Sequence, residues 1–203
     1  LAADATNRDA VAKVFAAKGR PMDNPLIVHI SSMEELEQAV SRVPELVASL
    51  ADAFWPGPLT MIMPKSELIP METSGGLDTV GVRMPSHPVA QALIRIAGVP
   101  IAAPSANRSG YPSPTTAQHV LADMQGRIPA ILDGGACSCG LESTVVAFDD
   151  DRTVRILRPG FVTKEMLLEH VPNVVIDPAI FRQVSASEKV ASPGMKYKHY
   201  APN

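Results

Sequence analysis

The sequence predicts an α/β domain, because short apolar, β-branched runs alternate with helical patterns of about ten residues. Helix boundaries are marked clearly, for example by the capping residue Ser32 and by Gly98. Some neighbouring strands have no helix between them, so we expect a mixed sheet whose helices cover at least part of one face.

The predicted strands are short runs rich in Val, Ile and Leu that end at glycine, proline or polar residues. They span residues 26–30, 59–63, 80–84, 99–103, 130–132, 144–148, 154–157 and 174–176. The last part of the chain differs, since residues 192–202 have neither a helical nor a strand period. We interpret that segment as a linker or lid.

The predicted helices have apolar residues at three- and four-residue spacing after a residue that can cap or start a helix. The first carries Val11, Val14 and Phe15 and ends near Gly19, and Ser32 with Glu35 has the spacing of a capping box that opens the second. Later helices are predicted to start at Pro44, Pro88, Ser113 and Thr163.

Composition limits the classes of function. With 203 residues, 46% of them hydrophobic, the chain can bury one substantial core. A net charge of -3 argues against a generally basic DNA-coating protein but allows a local cluster of cations around an anionic substrate. Without about 18 consecutive apolar residues we expect no membrane span and a cytoplasmic protein, with Cys137 and Cys139 as reduced thiols.

The common nucleotide and hydrolase motifs are absent, namely the P-loop, G-x-G-x-x-G, H-E-x-x-H and G-x-S-x-G. Polar residues instead follow the predicted elements. Lys18 and Arg20 could neutralise a polyphosphate or simply complement a helix dipole. Ser105 and Asn107 could face a ligand across a strand end or bond their own turn.

Six segments occur together in a characteristic order. They are Lys18-Gly19-Arg20-Pro21, Trp55-Pro56-Gly57-Pro58-Leu59-Thr60, Val82-Arg83-Met84-Pro85, Pro104-Ser105-Ala106-Asn107, Glu142-Ser143-Thr144 and Leu157-Arg158-Pro159-Gly160. The series closely resembles the Sua5/YrdC/YciO family over residues 1–183, including its K-x-R and S-x-N pairs. The resemblance implies a YrdC-like, twisted, mixed open sheet with helices and a concave ligand-binding surface.

The segment at 192–202 resembles the linker of the longer Sua5 branch of this family. We therefore expect a catalytic domain at 1–183 and, at 184–203, a linker towards a C-terminal domain that is absent here. The chain begins at Leu1, without the Thr-rich segment that precedes this region in the family, so we expect the domain to lack its first residues.

The resemblance implies an L-threonylcarbamoyladenylate synthase, a nucleotidyltransferase that uses L-threonine, bicarbonate or CO2, and ATP with Mg²⁺. Its product would supply the transfer machinery that makes threonylcarbamoyladenosine in tRNA. The chemistry requires no enzyme nucleophile, because it depends on positioning two reactants and neutralising phosphate charge. No protein metal ligand is predicted.

The family motifs also imply roles for individual residues. Lys18 and Arg20 are the predicted catalytic residues. The predicted ATP-binding residues are Lys18, Arg20, Asn24, Thr79, Ser105, Asn107, Ser113 and Arg158. The predicted threonine-binding residues are His29, Arg83 and Ser143. Tyr197, His199 and Tyr200 could close over the pocket as a lid or belong to an exposed tether.

The sequence leaves two other functions open. A concave charged surface could bind tRNA or double-stranded RNA without chemistry, although an acidic net charge and 4% aromatic residues disfavour it. A domain that forms a carbamoyl adenylate from carbamoyl phosphate would share the K-x-R and S-x-N pairs. The Sua5-like tail favours threonine and bicarbonate as substrates.

Overall fold

The computed structural model describes residues 1–181, which form one eight-stranded sheet with helices packed against it. The strands are β1 (Ala3–Asp4), β2 (Ile27–His29), β3 (Leu59–Pro64), β4 (Thr79–Arg83), β5 (Ile101–Ala102), β6 (Thr144–Phe148), β7 (Thr153–Arg158) and β8 (Asn173–Ile176). The helices are α1 (Arg8–Lys18), α2 (Met33–Ala39), α3 (Leu46–Phe54), α4 (Met71–Ser74), α5 (Pro88–Ala97), α6 (Ala117–Met124) and α7 (Lys164–Leu168). A short 3-10 turn follows at Pro178–Phe181.

The strand order across the sheet is β1-β5-β2-β4-β3-β6-β7-β8. Three neighbouring pairs are parallel (β2 with β4, β3 with β6, and β7 with β8) and the other four are antiparallel, so the prediction of a mixed sheet is confirmed. In the parallel pair of β2 and β4, His29 lies opposite Arg83. Two residues from distant parts of the sequence therefore meet on one face of the sheet.

The two faces of the sheet are built from alternate residues of each strand. On one face, buried residues such as Val28, Met61 and Val82 join helix residues such as Val11 and Leu50 in the main hydrophobic core. Among residues 1–181, the opposite face has only a small apolar cluster, formed by Ile62, Val145 and Leu157 with Ala147 packed against it. That second face is therefore available to a ligand.

The ends of α1 explain how the Lys18 segment is presented. The side chain of Asn7 caps the helix by accepting hydrogen bonds from the N–H groups of Asp9 and Ala10, both at 3.0 Å. Gly19 ends it in the left-handed conformation, with φ of 60°, which turns Arg20 away from the helix axis. The predicted end of this helix near Gly19 is confirmed.

The capping box predicted for α2 is present in a modified form. Ser32 caps the helix by accepting a hydrogen bond from the Glu35 N–H at 3.4 Å. The Glu35 carboxylate, however, accepts from the N–H of Ser31 at 2.6 Å, one residue before the cap. The pair still satisfies two donors at the start of the helix.

One predicted helix start and one predicted strand are wrong. The helix expected to start at Ser113 starts at Ala117, because Thr116 caps it by accepting a hydrogen bond from the His119 N–H at 3.3 Å. The strand expected at 130–132 is a loop in which Leu132 is 65% exposed. Its apolar side chain is not buried in the core, so packing does not stabilise a strand there. Strand β1 and helix α4 are present but were not predicted from the sequence.

The tail lies outside the described residues, which end at Phe181. The predicted lid residues Tyr197, His199 and Tyr200 and the predicted boundary between 183 and 184 therefore stay predictions. Within residues 1–181, no helix is long and apolar enough to cross a bilayer. Cys137 and Cys139 are free, exposed thiols, as predicted.

Candidate functional site

A cavity of about 400 Å³ lies on the sheet face that bears Ile27, His29 and Arg83. The loops around 104–115 and 137–143 form its other walls. Seven predicted site residues line it, namely Arg20, His29, Arg83, Ser105, Ser113, Ser143 and Arg158. The fold thus brings together residues that are widely separated in the sequence.

Arg83 is the cation at the end of β4. Its Nε donates a hydrogen bond to the carbonyl oxygen of Gly57 at 2.9 Å, which fixes the guanidinium at the cavity wall. None of the ion pairs within residues 1–181 involves Arg83. Burial, followed by the charge of Arg158, lowers the pKa of Arg83. A half-buried cation with no carboxylate partner among these residues is suited to an anionic ligand.

His29 lies beside Arg83 at the end of β2 and carries no charge at neutral pH. Burial, followed by the nearby charge of Arg83, lowers the pKa of His29 to about 3. Its Nδ1 is buried without a hydrogen-bond partner within the described part of the chain. The neutral imidazole lines the cavity, where it can offer a hydrogen bond to a ligand.

Arg20 is held at the cavity edge by the loop that follows α1. Its Nε donates to the carbonyl oxygen of Asn24 at 3.2 Å and its Nη2 donates to that of Pro25 at 2.9 Å. The Asn24 side chain is buried and off the cavity wall, and its Oδ1 has no partner among the described residues. Thr79 also lies off the wall, four residues before Arg83 and about 13 Å along the same strand.

Lys18 lies behind the cavity wall rather than on it, with only 3% of its surface exposed. Its Nζ donates to the carbonyl oxygens of Ser105 and, at 2.6 Å, of Asn107. Burial, together with the charge of Arg20, lowers the pKa of Lys18 to about 8. Lys18 therefore holds the backbone of the loop that contains Ser105 and Asn107, without lining the cavity itself. The K-x-R motif alone does not reveal this arrangement.

Asn107 is buried in the same loop and lies off the cavity wall. Its side-chain amide donates to the carbonyl oxygens of Tyr111 at 2.6 Å and Arg108 at 3.0 Å. Of the S-x-N pair, only Ser105 reaches the cavity. Asn107 thus forms hydrogen bonds within its own turn, which is the second of the two alternatives that the sequence left open.

A network of polar side chains forms another part of the cavity wall. Arg158 donates from Nη2 to the carbonyl oxygen of Ser143 at 2.8 Å and to its hydroxyl at 3.0 Å. Its Nη1 pairs with the carboxylate of Glu142 at 2.8 Å, and that carboxylate accepts from the Ser113 hydroxyl at 3.2 Å. On the other side, the Ser143 hydroxyl bonds that of buried Thr60 at 2.8 Å.

Glu142 and Thr60 are the two members of this network that sequence reasoning missed. Both stand inside segments quoted for the family resemblance, so the signal was available. Glu142 directly precedes Ser143, and Thr60 follows the Pro56-Gly57-Pro58 turn. Their roles emerge only from the pairing of β3 with β6 and of β6 with β7.

The charges on the cavity wall are unbalanced. Arg20, Arg83 and Arg158 face it, whereas Glu142 is the one acid among the described lining residues. Three guanidinium groups beside several hydroxyl groups suit a ligand with phosphate and carboxylate groups. Within residues 1–181, no group of three or more His, Cys, Asp or Glu residues could hold a metal ion.

Comparison with known proteins identifies the family. The family model Sua5_yciO_yrdC, described as "Telomere recombination", matches residues 1–160. A second model, described as "Threonylcarbamoyl-AMP synthase, C-terminal domain", matches residues 162–203. The first match alone covers more than half of the chain.

Two curated relatives are named threonylcarbamoyl-AMP synthase. The chain is 51% identical to the protein from Bacillus subtilis and 49% identical to that from Pyrococcus abyssi, over all of its 203 residues. It covers 58% and 59% of these relatives, so it spans less than two thirds of their length.

Solved structures agree with the sequence matches. P. abyssi Sua5 in complex with L-threonine has a TM-score of 0.92 and 49% identity, with 99% of this chain and 58% of that chain covered. Escherichia coli YciO has a TM-score of 0.68 at 21% identity, with 79% and 78% covered, and supports the fold alone. The chain belongs to the Sua5/YciO/YrdC family.

Proposed function

We propose that this chain is the catalytic part of an L-threonylcarbamoyladenylate synthase, a nucleotidyltransferase that uses L-threonine, bicarbonate or CO2, and ATP. The observation that carries the proposal is the convergence of Arg20, Arg83 and Arg158 on one cavity. The identity of about half of all residues to two threonylcarbamoyl-AMP synthases supports the choice of reaction.

The proposed reaction has two steps. The neutral amine of threonine first adds to CO2 with loss of a proton, or to bicarbonate with loss of water, and gives an N-carboxylate. That carboxylate then attacks the α-phosphorus of ATP, so one oxygen–phosphorus bond forms as the bond to pyrophosphate breaks. The protein contributes orientation of the reactants and stabilisation of the negative charge on the phosphates.

On this proposal, the cavity has a threonine side and a nucleotide side. Arg83 pairs with the carboxylate of threonine, while neutral His29 and Ser143 offer hydrogen bonds. The nucleotide side consists of Arg20, Ser105, Ser113 and Arg158. Lys18 holds the loop of Ser105 and Asn107 in place through hydrogen bonds to their carbonyl oxygens. Contacts of Asn24 and Thr79 with ATP stay predictions.

Magnesium is proposed to enter as the partner of ATP, not as a metal held by the protein. The described lining residues do not fit a protein site for Mg²⁺, because their one acid, Glu142, is paired with Arg158. The phosphate oxygens of ATP would supply its ligands.

The product would pass to a transferase that modifies tRNA, which we propose takes place in the cytoplasm. A direct contact with tRNA and closure of the cavity by Tyr197, His199 and Tyr200 belong to the same proposal. Deletion of residues 185–203 would then lower synthesis or increase hydrolysis of the adenylate. Unchanged turnover and product yield after the deletion would eliminate the lid.

Identification of the product tests the proposed function. The full-length protein is incubated with ATP, Mg²⁺, L-threonine and isotopically labelled bicarbonate, and the products are separated by mass spectrometry. We expect threonylcarbamoyl-AMP that contains the label. An adenylate formed only when carbamoyl phosphate replaces threonine and bicarbonate would instead support the carbamoyl-adenylate reaction. Salt-dependent binding of tRNA without any adenylate would favour RNA binding.

A further inference from the structure

Glu142 connects two parts of the cavity wall that come from distant segments. Its carboxylate accepts a hydrogen bond from the Ser113 hydroxyl at 3.2 Å and pairs with Nη1 of Arg158 at 2.8 Å. Ser113 stands 29 residues before it, and Arg158 belongs to β7. Both side chains of the ion pair are largely buried, with 12% of Arg158 and 15% of Glu142 exposed.

The same contacts fix the direction of the Arg158 side chain. Glu142 holds Nη1 of the guanidinium, while the Ser143 carbonyl oxygen and hydroxyl accept from Nη2 at 2.8 and 3.0 Å. A planar guanidinium held on two edges cannot rotate freely. Its orientation is therefore set before any ligand enters the cavity.

An acidic residue at this place would repel a polyphosphate if charge alone mattered. Glu142 is the one acid among the described residues of a wall that also carries Arg20 and Arg83. The repulsion between Glu142 and phosphate opposes ATP binding, whereas the orientation of Arg158 and Ser113 favours it. These two effects predict opposite results when the carboxylate is replaced by an amide.

We infer that Glu142 is a positioning residue for the nucleotide, which holds Arg158 and Ser113 in the arrangement that receives the ATP phosphates. The inference rests on the proposed function. It concerns ATP and not threonine, since the Ser143 hydroxyl also keeps a 2.8 Å hydrogen bond to Thr60 that does not involve Glu142. Glu142 itself need not touch either substrate.

The test compares ATP affinity in variants of the full-length protein by isothermal titration calorimetry. Glu142→Gln preserves the size of the side chain and removes its charge, and we expect the Kd for ATP to rise about tenfold. The KM for threonine should stay within about twofold. Glu37→Gln removes an exposed carboxylate from α2 as the matched control and should leave the Kd unchanged. Thermal unfolding establishes that each variant is folded.

A double-mutant cycle with Arg158→Met separates positioning from a general structural effect. The amide oxygen introduced by Glu142→Gln can still accept a hydrogen bond from Ser113, so the effect of this variant acts through Arg158. Glu142→Gln should therefore cause no further loss of ATP affinity in the Arg158→Met background. Equal losses in both backgrounds, or tighter ATP binding by Glu142→Gln alone, would overturn the inference while leaving the proposed function intact. A wild-type protein that neither binds ATP nor releases pyrophosphate would overturn both.

Discussion

Gly160 lies directly against the backbone of Glu142. A Cβ atom at Gly160 would be 2.4 Å from the carbonyl oxygen of Glu142 and 2.5 Å from the nitrogen of Thr144. Only a residue without a side chain permits this approach. The Arg158-Pro159-Gly160 segment thus packs closely against the backbone of Glu142, Ser143 and Thr144. This contact explains why the Arg-Pro-Gly motif and the Glu-Ser-Thr motif occur together.

The first prediction concerns Gly160→Ala. The added methyl group cannot be accommodated unless the backbone at 142–144 moves, so we expect the free energy of unfolding to fall by about 1–3 kcal/mol. The Kd for ATP should also rise, because Glu142 and Arg158 are displaced. Chemical denaturation and calorimetry measure the two effects.

Gly140→Ala is the matched control for that variant. A Cβ at Gly140 would have no atom within 4 Å, although this residue also lies on the cavity wall. Its stability and ATP affinity should stay close to those of the wild-type protein. Equal effects of the two substitutions would contradict the packing argument.

The second prediction concerns the stability of the protein in acid. The pKa of His29 is lowered to about 3 in the folded state, from 6.5, so the unfolded chain takes up this proton first as the pH falls. His29 therefore contributes stability above pH 6.5 that is lost between 6.5 and about 3. The slope from one such group is at most about 1.4 kcal/mol per pH unit.

Urea denaturation of His29→Gln at several pH values checks this prediction. The glutamine variant should lose less stability than the wild-type protein between pH 6.5 and 4, whatever its stability at pH 7. Parallel curves for the two proteins would show that His29 is not buried in its neutral form.

The third prediction concerns Arg83→Met. If Arg83 pairs with the carboxylate of threonine, its loss should raise the KM for threonine at least thirtyfold and change the Kd for ATP less than threefold. The free energy of unfolding should not fall, because a half-buried charge with no carboxylate partner within residues 1–181 costs desolvation energy. Steady-state kinetics and thermal unfolding test both statements.

Arg95→Met removes an exposed arginine from the last turn of α5 and is the control for charge loss. It should leave the KM for threonine unchanged. A large rise in the KM for ATP with no effect on threonine in Arg83→Met would contradict the assignment of the two sides of the cavity.

The fourth prediction concerns Lys18→Met. This change removes the donor to the buried carbonyl oxygens of the Ser105–Asn107 loop, so the free energy of unfolding should fall by about 1–3 kcal/mol. Lys13→Met, at an exposed position of the same helix, should have no such effect. Loss of ATP binding by Lys18→Met with no loss of stability would show that Lys18 acts directly on ATP.

Local signals in the sequence predicted most of the fold. Asn7 and Gly19 bound α1, and short apolar runs identify β3, β4 and β6, because these signals are confined to neighbours along the chain. Helix α6 was placed too early because Ser113 and Thr116 are both good caps. Only the tertiary contact of Ser113 with Glu142 decides between them.

The sequence predicted those site residues that local motifs identify, but not the contacts that tertiary structure creates between them. Residue type and motif order identified Arg20, Arg83 and Arg158, which all reach the cavity. Burial of Lys18 beneath the Ser105 loop and the bridge made by Glu142 depend on contacts over 87 and 29 residues of sequence. Spacing within a motif contains no information about such contacts.

The central claim is that the arginine-lined cavity joins threonine to ATP. Pyrophosphate release by the full-length protein with ATP and bicarbonate, measured with and without L-threonine, tests it most directly. We predict release that requires threonine, that is abolished by Arg20→Ala and that is unaffected by Arg42→Ala at an exposed position. Release at the same rate without threonine, or at the wild-type rate in Arg20→Ala, would contradict the account.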